Sequence, residues 1–569
     1  MREARDGSAD EEPREVSPEL GTHPLAAELP GLPLAPMAPE NLVADRSASE
    51  NVRHLTATAL TKFSENDYVS AADLLVRALK LVPHSPAAHN NLALALWRSK
   101  RGVRGEALAR RAIKLDPNYI PAHRLLAEIL RERDDISAAL ASYERLLVLE
   151  PDNAVAHNNI GLLLRKARRL DEAGAAFARA RALKPDNLSI RFNELSLMDD
   201  AAAMSEAIGY CQRLLELEPD NVDVLTNLAT SLQFAGHIDE AMGYGERAVA
   251  LDPVHRQARF NLSILALLRG EYGRGWNEYE HRWNLPEVKK PHYRQPLWTG
   301  EDLNGATILL QSEQGWGDTI QCLRYVPMVA TRGGNIVLRV DRPLQRLAAS
   351  VPTKVMVSPS HARLPEFDVW CPLLSLPRIF ATAVENIPAD VPYLHLRSGL
   401  TERWHRRLAN LSGLKVGLAW AGNPQHVNDF RRSIGLDRLK PLWDARGVNF
   451  VSLQVGSHAK DLGPCGAGGV LDLSAELTDF AETAGAILNL DLVIAVDTAV
   501  VHLAGALGKP AWVMLPFSPD WRWLIDRDDS PWYPTLRLYR QRAPGDWDDV
   551  IRRVAADLER LVSERSRKS

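Results

Sequence analysis

Pro83, Pro117, Pro151, Pro185, Pro219 and Pro253 stand 34 residues apart, five intervals without a slip. A strict period of that length fits a unit of two helices closed by a residue that cannot continue a helix. Each helix pair has an apolar face it cannot bury alone, so the units must stack on one another. Such a stack leaves a concave groove. The chain is therefore expected to hold a partner, before any chemistry is considered.

Small residues recur where paired helices must approach closely. In the unit ending at Pro185 these are Gly161, Ala173 and Ala180, with Phe177 among them and the turn RRLDEA between the helices. Ala71, Ala139, Ala207 and Ala241 hold the place of Ala173. The pattern resembles the tetratricopeptide repeat family over about residues 52–255. A degenerate seventh unit follows, with Glu287 at the proline position, and is expected to cap the array. Asn91, Asn159, Asn193, Asn227 and Asn261 fall at one repeat position, broken only by Leu125. First helices line the groove in this family, and a carboxamide both donates and accepts, so the column is expected to bind an acceptor peptide's backbone. The competing reading is that these asparagines brace neighbouring helices. Repeat-bearing protein O-GlcNAc transferases, which this part resembles, carry such a ladder.

Basic and acidic side chains number 68 and 72, a net charge of −4, which argues against a general nucleic-acid binder. Cys211, Cys322, Cys371 and Cys465 lie far apart without a C-x-x-C pair. Neither a disulfide framework nor a zinc site is suggested, and a reducing cytoplasm fits best. The N-terminus lacks an apolar signal segment, and no apolar run is long enough to span a bilayer. Residues 1–50 carry seven prolines by position 39 and are expected to form a disordered tail.

After about Trp283 the repeat stops, and thirteen of the fourteen tryptophans lie from Trp276 onward. Strands are expected at 306–311, 335–340, 354–357 and 367–370. After a break near 390–412 a second series follows at 415–420, 449–454, 491–496, 511–516 and 536–540. Strands alternating with helices imply parallel doubly wound sheets, and two series imply two Rossmann-like lobes with a ligand cleft at their strand ends. The expected division is a tail at 1–50, repeats at 51–285, one lobe at 286–400 and a second at 401–569.

Three strand-end loops carry candidate chemistry. In QSEQGWGDTIQ, Gly315 and Gly317 allow a tight turn and close approach to a ligand. Asp318 there is either a helix cap or a general base for an acceptor hydroxyl. In AGNPQHVNDFRRS, Gly422 and Asn423 suit a turn, while Arg431 and Arg432 could grip a diphosphate or be a solvated pair. His426 in that loop is read as incidental. In DLVIAVDTAVVHLAGALGKP a buried strand ends at Asp497 and Thr498 opens a helix bearing His502. The free N–H groups at that helix start, with the Thr498 hydroxyl, form an anion site. The plainer reading makes Asp-Thr a cap and His502 a packed side chain.

Together these loops resemble the heptosyltransferase-like glycosyltransferases of the two-lobed GT-B type. Gly317-Asp318 matches that family's Gly-Asp pair, and DTAVVHLAGALGKP matches its D-T-G-x-x-H-x-A-A-x-L-G-x-P motif over a resemblance covering roughly 300–545. Ala499 replaces the motif's glycine, Gly505 replaces an alanine, and the family's phosphate-contacting lysine is here Arg431 or Arg432. The resemblance implies Asp318 as base and a donor site of Gly315, Gly317, Asn423, Arg431, Arg432, Asp497, Thr498 and His502. It also implies an inverting transfer without metal or cofactor, the nucleotide-sugar being a substrate. Repeats followed by this module, ending in PFSPDWRWLIDRDDSPWYP, also resemble bacterial repeat-bearing glycosyltransferases, some of which modify flagellin with nonulosonic acids. Such acids travel on CMP with one phosphate, whereas the heptosyltransferase-like site suits a diphosphate. Trp521, Trp523, Trp532 and Tyr533 in the last stretch either line the cleft by stacking on base or sugar or belong to the core, which is the reading preferred.

The fold expected is an α superhelix of tetratricopeptide repeats followed by α/β lobes of GT-B type. The function expected is transfer of a sugar to Ser or Thr of a protein chosen by the repeats, with flagellin as acceptor. Competing readings are transfer to lipopolysaccharide or another envelope glycan, and a non-catalytic repeat scaffold.

Overall fold

A computed structural model describes residue 34 and residues 46–568, apart from 199, 286, 287, 289, 361, 427 and 466–468. Most of the expected tail, and Glu287, lie outside the described residues. The tail cannot extend to residue 50, because the first helix is Arg46–Ser64. Among the described residues, no helix is long and apolar enough to cross a membrane.

Helix pairs run from Arg46 to Tyr279. The second helices Tyr68–Leu81, Gly102–Leu115, Ile136–Leu149, Leu170–Leu183, Ala201–Leu217 and Ile238–Leu251 each end two residues before a ladder proline. The next helix starts three residues after that proline. Ser85, Asn153, Asn187, Asn221 and His255 stand between the two and accept a hydrogen bond from the third helical N–H, satisfying a donor that has no partner within the helix. The ladder thus marks both a stop and a restart.

A second period was not read from the sequence. Asn66, Lys100, Asp134, Arg168, Gly236 and Gly270 have positive φ between 62° and 83°, and each stands two residues before a second helix. Only glycine takes this conformation without cost, yet four of the six carry a side chain. The fifth unit breaks the series. Its first helix, Leu188–Leu195, has 8 residues where the other first helices after Arg46–Ser64 have 13, and its second, Ala201–Leu217, has 17 where the other second helices before Tyr272–Tyr279 have 14.

That irregular unit is where the chain divides into compact units. One comprises the described residues up to Met198, the other those from Asp200 onward. The boundary expected at 285 is therefore not where the fold parts: the last repeats belong with the α/β region. The reason is packing. Tyr272, Trp276 and Tyr279 share a core with Trp298, Tyr325, Trp521 and Trp532. Trp276 Nε1 donates to the Thr382 carbonyl at 3.0 Å, and Trp532 Nε1 to the Tyr272 hydroxyl at 3.0 Å. Arg282 is fully buried and bonded to Glu313 and Glu280, both at 2.8 Å.

Among the described residues, the α/β region contains two sheets whose strands all pair in parallel. The first has β1 (Thr307–Gln311), β2 (Asn335–Val340), β3 (Met356–Pro359) and β4 (Val369–Pro372), in the order β3-β2-β1-β4. The second has β5 (Leu414–Ala419), β6 (Val448–Ser452), β7 (Leu471–Asp472), β8 (Leu492–Val496), β9 (Ala511–Leu515) and β10 (Leu536–Arg540), in the order β10-β9-β8-β5-β6-β7. β3 and β4 lie two residues later than expected, and the two-residue β7 was too short to leave a pattern. In each sheet the order reverses beside the first strand, where the loops after two adjacent strands diverge and open a crevice.

Candidate functional site

The first and third candidate loops each leave their own sheet beside its reversal and meet at their helix starts, and the space beside those starts is the candidate crevice. After β1 the chain turns at Gln314 and enters the helix Trp316–Cys322; after β8 it enters the helix Ala499–Ala506. The two helix starts abut so closely that a Cβ on Gly317 would lie 2.7 Å from His502 Cδ2 and 3.6 Å from Ala499 Cα. Gly317 is needed here for what it lacks.

Asp318 sits in the first turn of its helix. One oxygen accepts the Gly315 N–H at 2.8 Å, and the other is bound by the Arg522 guanidinium. The carboxylate therefore caps its helix, the plainer of the two sequence readings, and pairs with Arg522. Burial pushes it above the ordinary carboxylate value, while the charge of Arg522 opposes the rise. Asp497, at the end of β8, is also raised, by burial and then by Asp520, with Arg432 and Arg522 opposing.

Thr498 opens the helix Ala499–Ala506 without capping it, and its hydroxyl oxygen is buried with no hydrogen-bond partner. A buried hydroxyl left in this state is costly unless a ligand completes it. His502 is buried with Nδ1 3.0 Å from the Tyr533 hydroxyl, and its ring stacks on Trp523 at 5.6 Å. Burial, reinforced by Arg522, Arg324 and Arg432, holds it well below 6.5 and so neutral. Its Nε2 is 3.9 Å from Asp497, too far for a hydrogen bond.

The second loop separates its two arginines. Arg431 is buried, with its guanidinium 4.2 Å from the centre of the Phe234 ring and 4.8 Å from that of Phe430. Arg432 pairs with Asp429 at 3.2 Å, and its charge is felt at Asp497 and His502. Arg432 is thus the better placed to meet an anion in the crevice. Asn423 is exposed and closes its own turn, accepting the Gln425 N–H at 3.1 Å.

The aromatic stretch gave its tryptophans to the core: Trp521, Trp523, Trp532 and Tyr533 are all buried. Its arginine went unread. Arg522 binds Asp318 and Gln321, and holds Asp520 at 2.9 Å. Arg324, equally buried, donates to the carbonyls of Trp532 at 2.8 Å and Pro388 at 3.2 Å. No spacing rule links Asp318 to a residue 204 positions away.

The asparagine column needs correction. Asn91, Asn159, Asn193, Asn227 and Asn261 are all buried, at most 4% exposed. Asn159 Nδ2 donates to Glu128 and to the Tyr143 hydroxyl, each at 3.0 Å; Asn193 donates to Asn158 at 3.0 Å and Asn261 to Thr230 at 2.9 Å. Asn159, Asn193 and Asn261 thus brace one helix pair against its neighbour. Buried as all five are, they do not line an open groove.

Sequence patterns of the tetratricopeptide repeat match residues 62–129, 124–187 and 226–275. Protein FlbA of Caulobacter vibrioides is 29% identical over 334 residues, 53% of this chain and 54% of FlbA, so the match spans about half of that relative. A tetratricopeptide repeat protein from Parabacteroides merdae covers 42% of this chain and 94% of its own, at 17% identity and a TM-score of 0.36. PilF of Pseudomonas aeruginosa covers 38% of this chain and 97% of its own, at 18% identity and a TM-score of 0.33. Scores this low decide nothing about the present chain. The N-terminal part carries tetratricopeptide repeats, which imply a protein partner, and parallel sheets follow them.

Proposed function

We propose that the chain is an inverting glycosyltransferase of GT-B type that moves a sugar from a nucleotide-sugar to Ser or Thr of a protein. The observation that supports this reading is the meeting of Asp318, Arg432, Asp497, Thr498 and His502, from three strand-end loops of two parallel sheets, around one crevice. In this reading Asp318 takes the proton of the acceptor hydroxyl as its oxygen attacks the anomeric carbon. The nucleotide leaves from the opposite face, and its developing charge is met by Arg432, the free N–H groups at the start of Ala499–Ala506 and the Thr498 hydroxyl. Neutral His502 spaces the two helix starts. Arg431, stacked on Phe234, holds the loop that presents Arg432.

The acceptor part of the proposal rests on the repeats and on the resemblance to flagellin-modifying enzymes. The test has two arms. Calorimetry against CMP-, UDP-, GDP- and ADP-sugars should find one donor, and Asp318→Ala should bind it while losing transfer by roughly a hundredfold or more. An Asp318→Ala enzyme with full transfer would remove the base assignment. Deleting residues 46–198, a cut placed at the division between the compact units, should abolish flagellin capture and spare donor binding. Unchanged capture would refute the acceptor model. One observation favours a scaffold instead: both Asp318 oxygens are already engaged. That reading requires that no nucleotide-sugar binds.

A further inference from the structure

We propose that Arg522 is a positioning residue that masks Asp318 in the ligand-free protein and shifts its guanidinium to the phosphate of an incoming nucleotide. The inference rests on the transferase reading and adds to it a residue outside the loops that suggested it.

Arg522 is only 6% exposed and follows β9, whereas Asp318 follows β1, so the ion pair ties the two sheets' loops together. Its three nitrogens are divided among three acceptors: Nη2 to Asp318, Nη1 to Asp520 and Nε to Gln321. One positive charge thus faces two carboxylates, with Asp497 close enough to feel both Arg522 and Asp520. Arg432 is itself paired with Asp429.

With Arg432 and Arg522 both paired to carboxylates, an incoming diphosphate gains the full charge of a guanidinium only when one is released to meet it. Arg522 is suited to that role, since a guanidinium binds phosphate oxygens as readily as a carboxylate and stays charged throughout. Its departure would at the same time return a lone pair to Asp318, which a general base requires. The backbone beside it is consistent with a segment held in place by its contacts. Leu524, two residues on, has φ 53° and ψ −168°, a conformation that a branched side chain rarely adopts and that persists only under constraint. Ligand entry would thus couple donor binding to activation of the base, so that free acceptor meets a silent site.

The test is calorimetric titration of the full chain with inorganic pyrophosphate, and separately with CMP, UDP, GDP and ADP. Wild type, Asp318→Asn, Arg522→Gln, Arg522→Lys and the Asp318→Asn/Arg522→Gln double variant are compared, with folding checked by circular dichroism. Asp318→Asn removes the competing carboxylate and should bind at least about fivefold tighter. Arg522→Gln should bind at least about tenfold weaker, Arg522→Lys should recover part of the loss, and the double variant should lose the gain. Asp520→Asn, which relieves the same competition from the other side, should also tighten binding if Asp318→Asn does not fold. Binding by Asp318→Asn no tighter than wild type, with the fold intact, overturns the masking role and leaves the transferase reading standing. Wild type binding none of the probes overturns both.

Discussion

Substituting Gly317 by alanine tests the close approach on which the candidate site depends. The added Cβ would lie 2.7 Å from His502 Cδ2 and 3.3 Å from Nε2, whereas carbon atoms pack at about 3.5–4.0 Å. The two helix starts must therefore separate by about 1 Å, or the imidazole must move. The ring has little freedom to retreat, being held by the Tyr533 hydroxyl on one side and stacked on Trp523. Overpacking of this kind costs about 1–3 kcal/mol, and the displaced helix start should weaken any anion bound there. Urea unfolding followed by tryptophan fluorescence is a suitable assay, because thirteen of the fourteen tryptophans lie beyond residue 199 and so report that unit. Gly399→Ala, with open space around its Cβ, is the control and should be neutral or slightly stabilising. Adding His502→Ala to Gly317→Ala should recover part of the loss, a coupling of about 1 kcal/mol between the two sites. Wild-type stability for Gly317→Ala within about 0.5 kcal/mol, with no coupling to His502, would refute the contact.

Four further outcomes are expected. Arg282→Ala, which strands Glu313 and Glu280 at the join of the last repeat and the first sheet, should cost about 3–5 kcal/mol by urea unfolding. Asn159→Ala removes a donor to buried Glu128 and to Tyr143, and should cost about 1–3 kcal/mol in the stability of the first unit, measured by thermal unfolding. Lys100→Gly relieves a positive φ of 63° at the price of a more flexible unfolded chain, and should raise stability by roughly 0.5–1 kcal/mol in a thermal shift. His502 is held well below 6.5 in the fold, so the unfolded chain binds the extra proton first as pH falls. Its contribution is complete above about pH 6.5 and declines below it, and His502→Gln should flatten the fall in stability between about pH 6.5 and 5. Asp318 and Asp497, both raised, act in the opposite sense at lower pH.

Much of the repeat array and both sheets could be read in advance because their signals are local. A ladder proline stops one helix and is followed by a cap for the next, all within five residues. β2 and β10 match the runs 335–340 and 536–540 residue for residue: β2 holds the continuous buried apolar run 336–338, and the edge strand β10 sets buried Leu536, Leu538 and Tyr539 among arginines. The two-residue β7 has no such signal. The candidate loops could be named because turns, helix starts and charged residues cluster in short spans.

The partners of those residues were beyond reach for the opposite reason. Asp318 and Arg522 are 204 residues apart, and only the folded sheets bring β1 and β9 to one crevice. The asparagines show the same limit in reverse. Their spacing was plain, but whether an amide faces a groove or braces a neighbour depends on the side chains opposite it, Glu128 and Tyr143 for Asn159 and Thr230 for Asn261. By itself the sequence determined the period, the strands and the loop chemistry, since each rests on neighbours along the chain. Tertiary structure alone decided burial, pairing and the place where the fold divides, because those depend on contacts between residues that the sequence holds far apart.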